Sequence, residues 1–528
     1  MNLKRPGLIF LLVFGWKVAL FLLSTQPVPA NDAFFYDGAV VNRLLNGGYF
    51  NPSLAAALPI SGTEVFCAYP PLHQAVLLGW MAVFGVSSWT AMTFHLTLVG
   101  VYLLLLWAIF RRLGTPAWAV GMAGIYGILL TFHDRPDTLG HTLGMAAVYA
   151  GVRWLQGVTR GSSGTGWIAA MVAAVVLCFC TSLQIGAIYF LLVWVLVVGA
   201  TFTGWTRFPT VAMAGLTLAP VALVALVKFG YPHLWTGFLE HARQTPSFTG
   251  LRMPYGPEIL KVVRTAPGVI VVAALLPLAL WRQGVAFRDR AAGRGGDGGM
   301  VPVHELLAMA TLLAGLAVVL ACLFVLTANT VAIANYLQPL LVGCFLGMLA
   351  RERAVAAPGG RFGFRLALGC LLVGAALGSV RAVGMTTWGL ACAWDVNYAQ
   401  AIHRVDTELS ALPSGSVVVL SSAFLYEAAR HPNVRWLHSD WLVRADPNAV
   451  DPDLKGLRHF RPRRVIVSQF DYYRRYGAVL DKLRMDPGVA AVKVDNMAHR
   501  RPPDAYPSLQ RVVQHISWAP VVVEIDWR

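Results

Sequence analysis

The sequence predicts an all-α polytopic membrane protein of about eleven transmembrane helices with a long first outer loop, followed by a small α/β soluble domain. Three observations carry this prediction. Apolar runs of 16 to 21 residues recur up to about residue 383, close to the length a helix needs to cross a hydrocarbon core. Only 13% of the 528 residues are charged, roughly half the share in a soluble chain. Beyond residue 383 the pattern changes, and residues 384–528 hold 18 Lys+Arg against 15 Asp+Glu with no spanning run.

Eleven spans fit, at 7–24, 91–110, 115–131, 138–155, 167–183, 185–203, 210–227, 266–281, 306–326, 331–350 and 364–383. With the N-terminus inside, beside Lys4 and Arg5, the inward loops carry Arg111 and Arg112, Arg160, Arg207, Arg282 to Arg294, and Arg351 to Arg361. Every arginine-rich short loop then lies on one side, as the positive-inside rule requires. A net charge of +16 would raise the question of nucleic acid in a soluble protein; here loop charge accounts for it and no nucleic-acid partner is expected. The expected location is therefore the cell (inner) membrane, with a cytoplasmic N-terminus and a periplasmic C-terminal domain.

The apolar run 72–86 is excluded from the spans. Fifteen residues make about 22 Å of helix, short of the roughly 30 Å core. Counting it as a span would also throw Arg111 and Arg112 outside. It reads as a helix lying in the outer interface. Residues 1–30 read as a retained span, because the apolar segment is long for a cleaved leader and carries Lys17. Of the seven cysteines only Cys67 and Cys392 fall outside, and no metal-ligand spacing is present.

Two domains follow, a membrane domain over 1–383 and an extracytoplasmic α/β domain over 384–528. In the latter, strand-like stretches at 416–422, 463–470, 489–495 and 519–525 alternate with helical ones at 398–411 and 472–485. The basic, aromatic stretch 457–477 could hold a glycan or acceptor, though a solvated basic face is the simpler reading.

The membrane part has only 11 acidic residues, and four of them form two tight groups. Asp32 and Asp37 follow the first span; Asp134 and Asp137 lie in "FHDRPDTLGH", beside His133, Arg135 and His141. Two acidic groups on one face, with histidines and an arginine, have the composition of a site.

The first outer loop resembles that of GT-C glycosyltransferases, especially lipid A aminoarabinose transferases and protein O-mannosyltransferases. An Asp is closely followed by a Tyr, then by a helix ending in Gly, then by an aromatic and a Pro; here these are Asp32, Tyr36, Gly47, Tyr49 and Pro52. Pro70, Pro71 and Leu72 match the element that opens an interfacial helix. Arg111 and Arg112 match the paired basics ending the next span, and Asp137 the acid of the next outer loop. Ala33 stands where a Glu often follows the Asp, and Tyr69 where Lys or His often precedes Pro-Pro.

The resemblance implies a sugar donor linked through phosphate to a polyprenyl chain, and a glycan, lipid or protein acceptor at the membrane lipid surface. A lipid phosphate leaves as a stable anion, so no general acid is needed, unlike the two carboxylates of a glycosidase. One base and phosphate-binding cations suffice. Asp32 is the expected base of an inverting displacement, with Asp137 positioning the acceptor or assisting and Asp37 able to replace either. Expected phosphate partners are Arg135 and Arg43, with Arg243, Arg252, Lys261 and Arg264 from the long outer loop 231–265. His241 lies in the same loop, whose length suits a lid. Tyr36, Tyr69, His73, His133 and His141 complete the expected pocket. No cofactor is specified, although the four acids could together hold a divalent metal ion. The competing reading, a transporter or flippase of a lipid-linked glycan, would place ionisable groups at mid-membrane, where this chain has few.

Overall fold

The computed structural model describes residues 6–23, 31–55, 57–129, 135–158, 164–202, 210–244, 302–324, 337–355, 398–442, 451–496 and 519–528, with isolated residues at 161 and between 365 and 380. The fold is mostly helical, with one small sheet near the C-terminus.

The bundle comprises α1 (Pro6–Leu23), α5 (Ser88–Leu113), α6 (Ala117–Leu129), α7 (Asp137–Val158), α8 (Thr165–Thr181), α9 (Leu183–Phe202), α10 (Thr210–Ala225), α12 (Val303–Phe324) and α13 (Gln338–Val355). Among the described residues, three stretches, Ser88–Leu113, Leu183–Phe202 and Thr210–Gly230, are long and apolar enough to cross a membrane. The expected span 266–281 lies outside the described residues, and 364–383 is described only in fragments. α7 packs on α5, α8 and α9, and α12 joins α9 to α13, around one apolar core that includes Tyr102, Phe110, Tyr189 and Phe345. α5 shows how the sequence sets its own limits. The Ser87 hydroxyl accepts from Thr90 N at 3.1 Å, and Gly114 ends the helix at φ 65°, where a side chain would be strained.

Between α1 and α5 lie short helices that include α2 (Asn31–Tyr36), α3 (Gly38–Asn46) and α4 (Leu72–Phe84), with single helical turns at Pro52–Leu54 and Pro59–Thr63. α4 is the run set aside above as non-spanning. It opens after Pro71, stops at Gly85, and buries His73, Gln74, Leu77 and Met81 against α3, α5 and α8. From the longer connection after α10 comes α11 (Pro232–Gln244).

The C-terminal sheet runs β2-β1-β3-β5-β4, with β1 (Val417–Leu420), β2 (Arg435–His438), β3 (Arg464–Ser468), β4 (Val489–Asn496) and β5 (Pro520–Trp527). β2, β1 and β3 are parallel, while β5 is antiparallel to both β3 and β4. The flanking helices are α14 (Tyr398–Ser410), α15 (Leu425–Ala429), α16 (Pro452–Phe460) and α17 (Gly477–Arg484). The inner strands are nearly all Val, Ile and Leu because both faces are covered. Val419, Val465 and Val523 face a cluster with Leu457 and Leu480. Val418, Leu420, Trp436 and Ile466 face the other way, into a cluster with Ala33, Phe34, Val40, Leu77 and Phe94. The sheet and the segment after α1 therefore share one core. Arg458 pairs with Asp486, Arg464 with Glu524 and Arg475 with Asp453, so much of the positive charge of 457–477 is balanced inside this region.

Candidate active site

α2 is one and a half turns long, too short to hold itself together. Two asparagines fold the following chain back onto it. Buried Asn51 donates through Nδ2 to the carbonyls of Phe34 and Phe35, while its Oδ1 accepts from Ser53 Oγ at 2.6 Å. A Cβ at Gly38 would come within 2.5 Å of that amide, so this close approach requires glycine. Asn42 Nδ2 donates to the carbonyls of Gly48 (2.9 Å) and Phe50 (3.0 Å).

The folded loop gathers aromatic rings. Phe35 lies edge-on to Tyr36 and Phe66, with centroids 4.8 and 5.7 Å away. Tyr36 meets Tyr69 edge-on at 5.0 Å. His241 of α11 approaches Phe35 at 5.0 Å, which brings part of the expected lid over this wall.

Tyr69 links the loop to the bundle. Its hydroxyl lies 3.2 Å from Ser182 Oγ, at the break between α8 and α9. Burial first, and then the Asp137 carboxylate, push the hydroxyl up to about 12, against the pull of Ser182, Arg135 and Tyr36. It is therefore neutral and able to donate at any physiological pH. Asp137 sits in the first turn of α7, where the helix dipole favours an anion. Its Oδ2 is 3.0 Å from Arg135 Nε; the acid side chain is 8% exposed and the arginine 42%. A largely sheltered carboxylate thus faces a cation that still reaches solvent.

The structure brings Tyr36, Tyr69, Arg135 and Asp137 together. Asp32 is the second residue of the same short helix, one turn before Tyr36; its side chain lies outside the described residues, as does that of Arg243 in α11. His133, Arg252, Lys261 and Arg264 also lie outside them. His141 is buried one turn beyond Asp137 and meets the Tyr189 hydroxyl at 3.2 Å through Nδ1, within the helix bundle. Arg43 is exposed in the last turn of α3 and donates to the Gly47 carbonyl. Asp37 and His73 belong to a separate, fully buried group. His73 Nε2 lies 4.0 Å from Asp37 Oδ1, the Tyr426 hydroxyl of α15 donates to Asp37 Oδ2 at 3.4 Å, and His95 of α5 stacks near His73 at 5.6 Å.

Ser182 is the residue that sequence reasoning missed; its one signal was the Thr181-Ser182 pair of hydroxyls at the break between two apolar runs. Among the described residues no cluster of three His, Cys, Asp or Glu side chains is arranged to hold a metal ion.

No protein-family model and no curated protein matches the chain. Its structure is similar to that of ArnT from Cupriavidus metallidurans bound to undecaprenyl phosphate, at 15% identity over 97% of each chain, with a TM-score of 0.48. It is also similar to apo ArnT from the same organism, at 15% identity over 96% of this chain and 97% of that one (TM-score 0.47). A third likeness is to the Archaeoglobus fulgidus oligosaccharyltransferase tethered with an acceptor peptide, at 11% identity over 89% of this chain and 70% of that one (TM-score 0.48).

Proposed function

We propose that this chain is an integral-membrane glycosyltransferase that moves a sugar from a polyprenyl-phosphate donor to an envelope glycan, lipid or protein acceptor, with inversion. The carrying observation is the Tyr36–Tyr69 contact. Through it the helix that carries Asp32 meets the Asp137–Arg135 pair, so both acid-bearing segments required by the loop resemblance converge on one place.

In this reading Asp32 takes the acceptor proton as its oxygen attacks the anomeric carbon, and the lipid phosphate departs with the bonding electrons. Arg135, exposed on one side and anchored by Asp137 on the other, stabilises the charge growing on that phosphate. Asp137 fixes the guanidinium and orients the acceptor. Neutral Tyr69 supplies a donor without adding an anion. The buried aromatic cluster of Phe35, Tyr36 and Phe66 backs this side of the site and keeps water out of a displacement that water would otherwise win. The reaction takes place at the outer face, with the N-terminus inside and the sheet region, residues 384–528, outside.

The test is transfer from purified undecaprenyl-phosphate sugar by the full-length protein in detergent, with donor binding measured in parallel. Asp32→Asn is expected to bind donor as well as the parent and to lose about 10²- to 10⁴-fold in turnover, the usual worth of a positioned base. Turnover unchanged in that variant removes Asp32 from the mechanism. Movement of the intact lipid across a vesicle without bond change makes the chain a transporter instead.

A further inference from the structure

We infer that the C-terminal sheet region holds the catalytic helix α2 in place, and that His438, Trp436 and Tyr426 are its positioning residues. The inference rests on the glycosyltransferase reading for its kinetic consequence, though not for its structural one.

α2 has six residues and no stability of its own. Its order comes from what it touches, and it is touched from two sides. Phe35 and Tyr36 enter the aromatic wall that leads to Tyr69. Ala33 and Phe34 enter the core of the sheet. Phe34 is fully buried, its ring 4.5 Å from that of His438 and edge-on to Trp436 at 5.4 Å. His438 and Trp436 are two residues apart on β2, so they share one face of the sheet. Immediately after α2, the buried Asp37 carboxylate receives the Tyr426 hydroxyl. At the far end of α3, Asn46 Nδ2 donates to the Ala429 carbonyl at 3.1 Å. The contact thus runs along the consecutive α2 and α3, with two ring contacts, one buried hydrogen bond and one side-chain bond to a backbone carbonyl.

Asp32 is two residues before Phe34. A shift of Phe34 against β2 moves the Asp32 backbone with it, since so short a helix moves as a unit. A displacement of about 1 Å at a reacting group costs on the order of 10²-fold in rate. A sheet region more than 380 residues away in sequence thereby sets the position of the base without touching either substrate.

The experiment uses the full-length protein and two readouts, hydrogen exchange of the α2 amides and steady-state transfer from undecaprenyl-phosphate sugar. His438→Ala removes the ring against Phe34; His438→Phe restores a ring without an imidazole. Lys482→Ala is the control: Lys482 lies on α17, which covers the other face of the sheet, and the change breaks only its exposed pair with Asp451 at the start of α16. His438→Ala is expected to speed α2 exchange about tenfold and to lower kcat about 10²-fold, with KM for the donor changing less than about threefold. His438→Phe restores both, and Lys482→Ala alters neither. If His438→Ala does not fold, Phe34→Leu tests the same contact from the other side. Unchanged α2 exchange in the alanine variant, or no rescue by phenylalanine, overturns the inference. If α2 exchange responds while the parent transfers no sugar, the clasp stands and the glycosyltransferase reading falls.

Discussion

Tyr69 gives the most discriminating test of the proposed site, because its ring and its hydroxyl have separable duties. Tyr69→Phe keeps the edge-on contact with Tyr36 and removes the 3.2 Å bond to Ser182. Ser182 is fully buried, and its hydroxyl keeps only the long 3.5 Å bond that it accepts from Ile185 N. Losing one neutral bond costs about 1 kcal/mol, rising to about 3 if the partner stays unsatisfied. Felt wholly in the transition state, the lower figure is roughly fivefold in kcat/KM. Tyr69→Ala also removes the ring that joins α2 to the Asp137–Arg135 pair. An aromatic pair is worth about 0.5–1.5 kcal/mol beyond its buried area, and the vacated space about 3–5 kcal/mol for a fully buried aromatic. Tyr69 is only partly buried, so the lower end applies. The kinetic loss should be larger than either figure suggests, because the base segment is no longer held against the acid pair, and about 10²-fold or more is expected. The assay is initial-rate transfer at varied donor, with thermal denaturation to confirm folding. Because the hydroxyl titrates only near 12, neither variant should shift the pH profile between 6 and 9. If Tyr69→Phe is as inactive as Tyr69→Ala, the hydroxyl takes part in the chemistry; if Tyr69→Ala keeps parental activity, the Tyr36–Tyr69 contact does not assemble the site, and the argument for it fails.

Arg135→Ala should act mainly on donor affinity, raising KM about 10- to 100-fold with a smaller change in kcat, and binding of undecaprenyl phosphate measures this directly; unaltered affinity would assign the lipid phosphate to another cation. Glu427 of α15 offers a pH test of stability. Its side chain is buried with Oε2 unpartnered, and burial first of all raises its carboxyl to about 7. The folded chain therefore keeps this proton up to about pH 7 while the unfolded chain releases it near 4.5, so its contribution is intact below 4.5 and is lost as pH rises through 7. Glu427→Gln should be nearly neutral at pH 4.5 and stabilising by up to on the order of 3 kcal/mol at pH 8; a difference between variant and parent in denaturation that does not change with pH would refute this. A reporter fused after Arg528 should signal the outer compartment and one within 284–300 the inner, and the opposite result at either place would overturn the site's assignment to the outer face.

Local pattern determined a good deal about this protein. The helix over 72–84 was legible from the apolar run 72–86 that follows Pro70 and Pro71, and β1 and β3 from their valine-rich runs, because burial on both faces imposes an apolar sequence whatever the neighbours are. β2 was not legible. "RWLH" sets two adjacent apolar residues between two basic ones, with no period-2 pattern over its four residues, and only parallel pairing with β1 makes it a strand. The same limit applies to charge. The arginines of 457–477 look like a binding surface until Asp486, Glu524 and Asp453 arrive from other elements. It applies most to the two acids of the first loop. In the sequence Asp32 and Asp37 are interchangeable, but positions five apart on a helical path lie roughly 140° apart. The tertiary structure buries Asp37 with His73 and Tyr426, and it brings Tyr36, at the end of the helix that carries Asp32, against Tyr69 beside Asp137. Periodicity is a property of neighbouring residues and can be read from them. A carboxylate's partner is chosen by packing between segments hundreds of residues apart, and no local pattern encodes that choice.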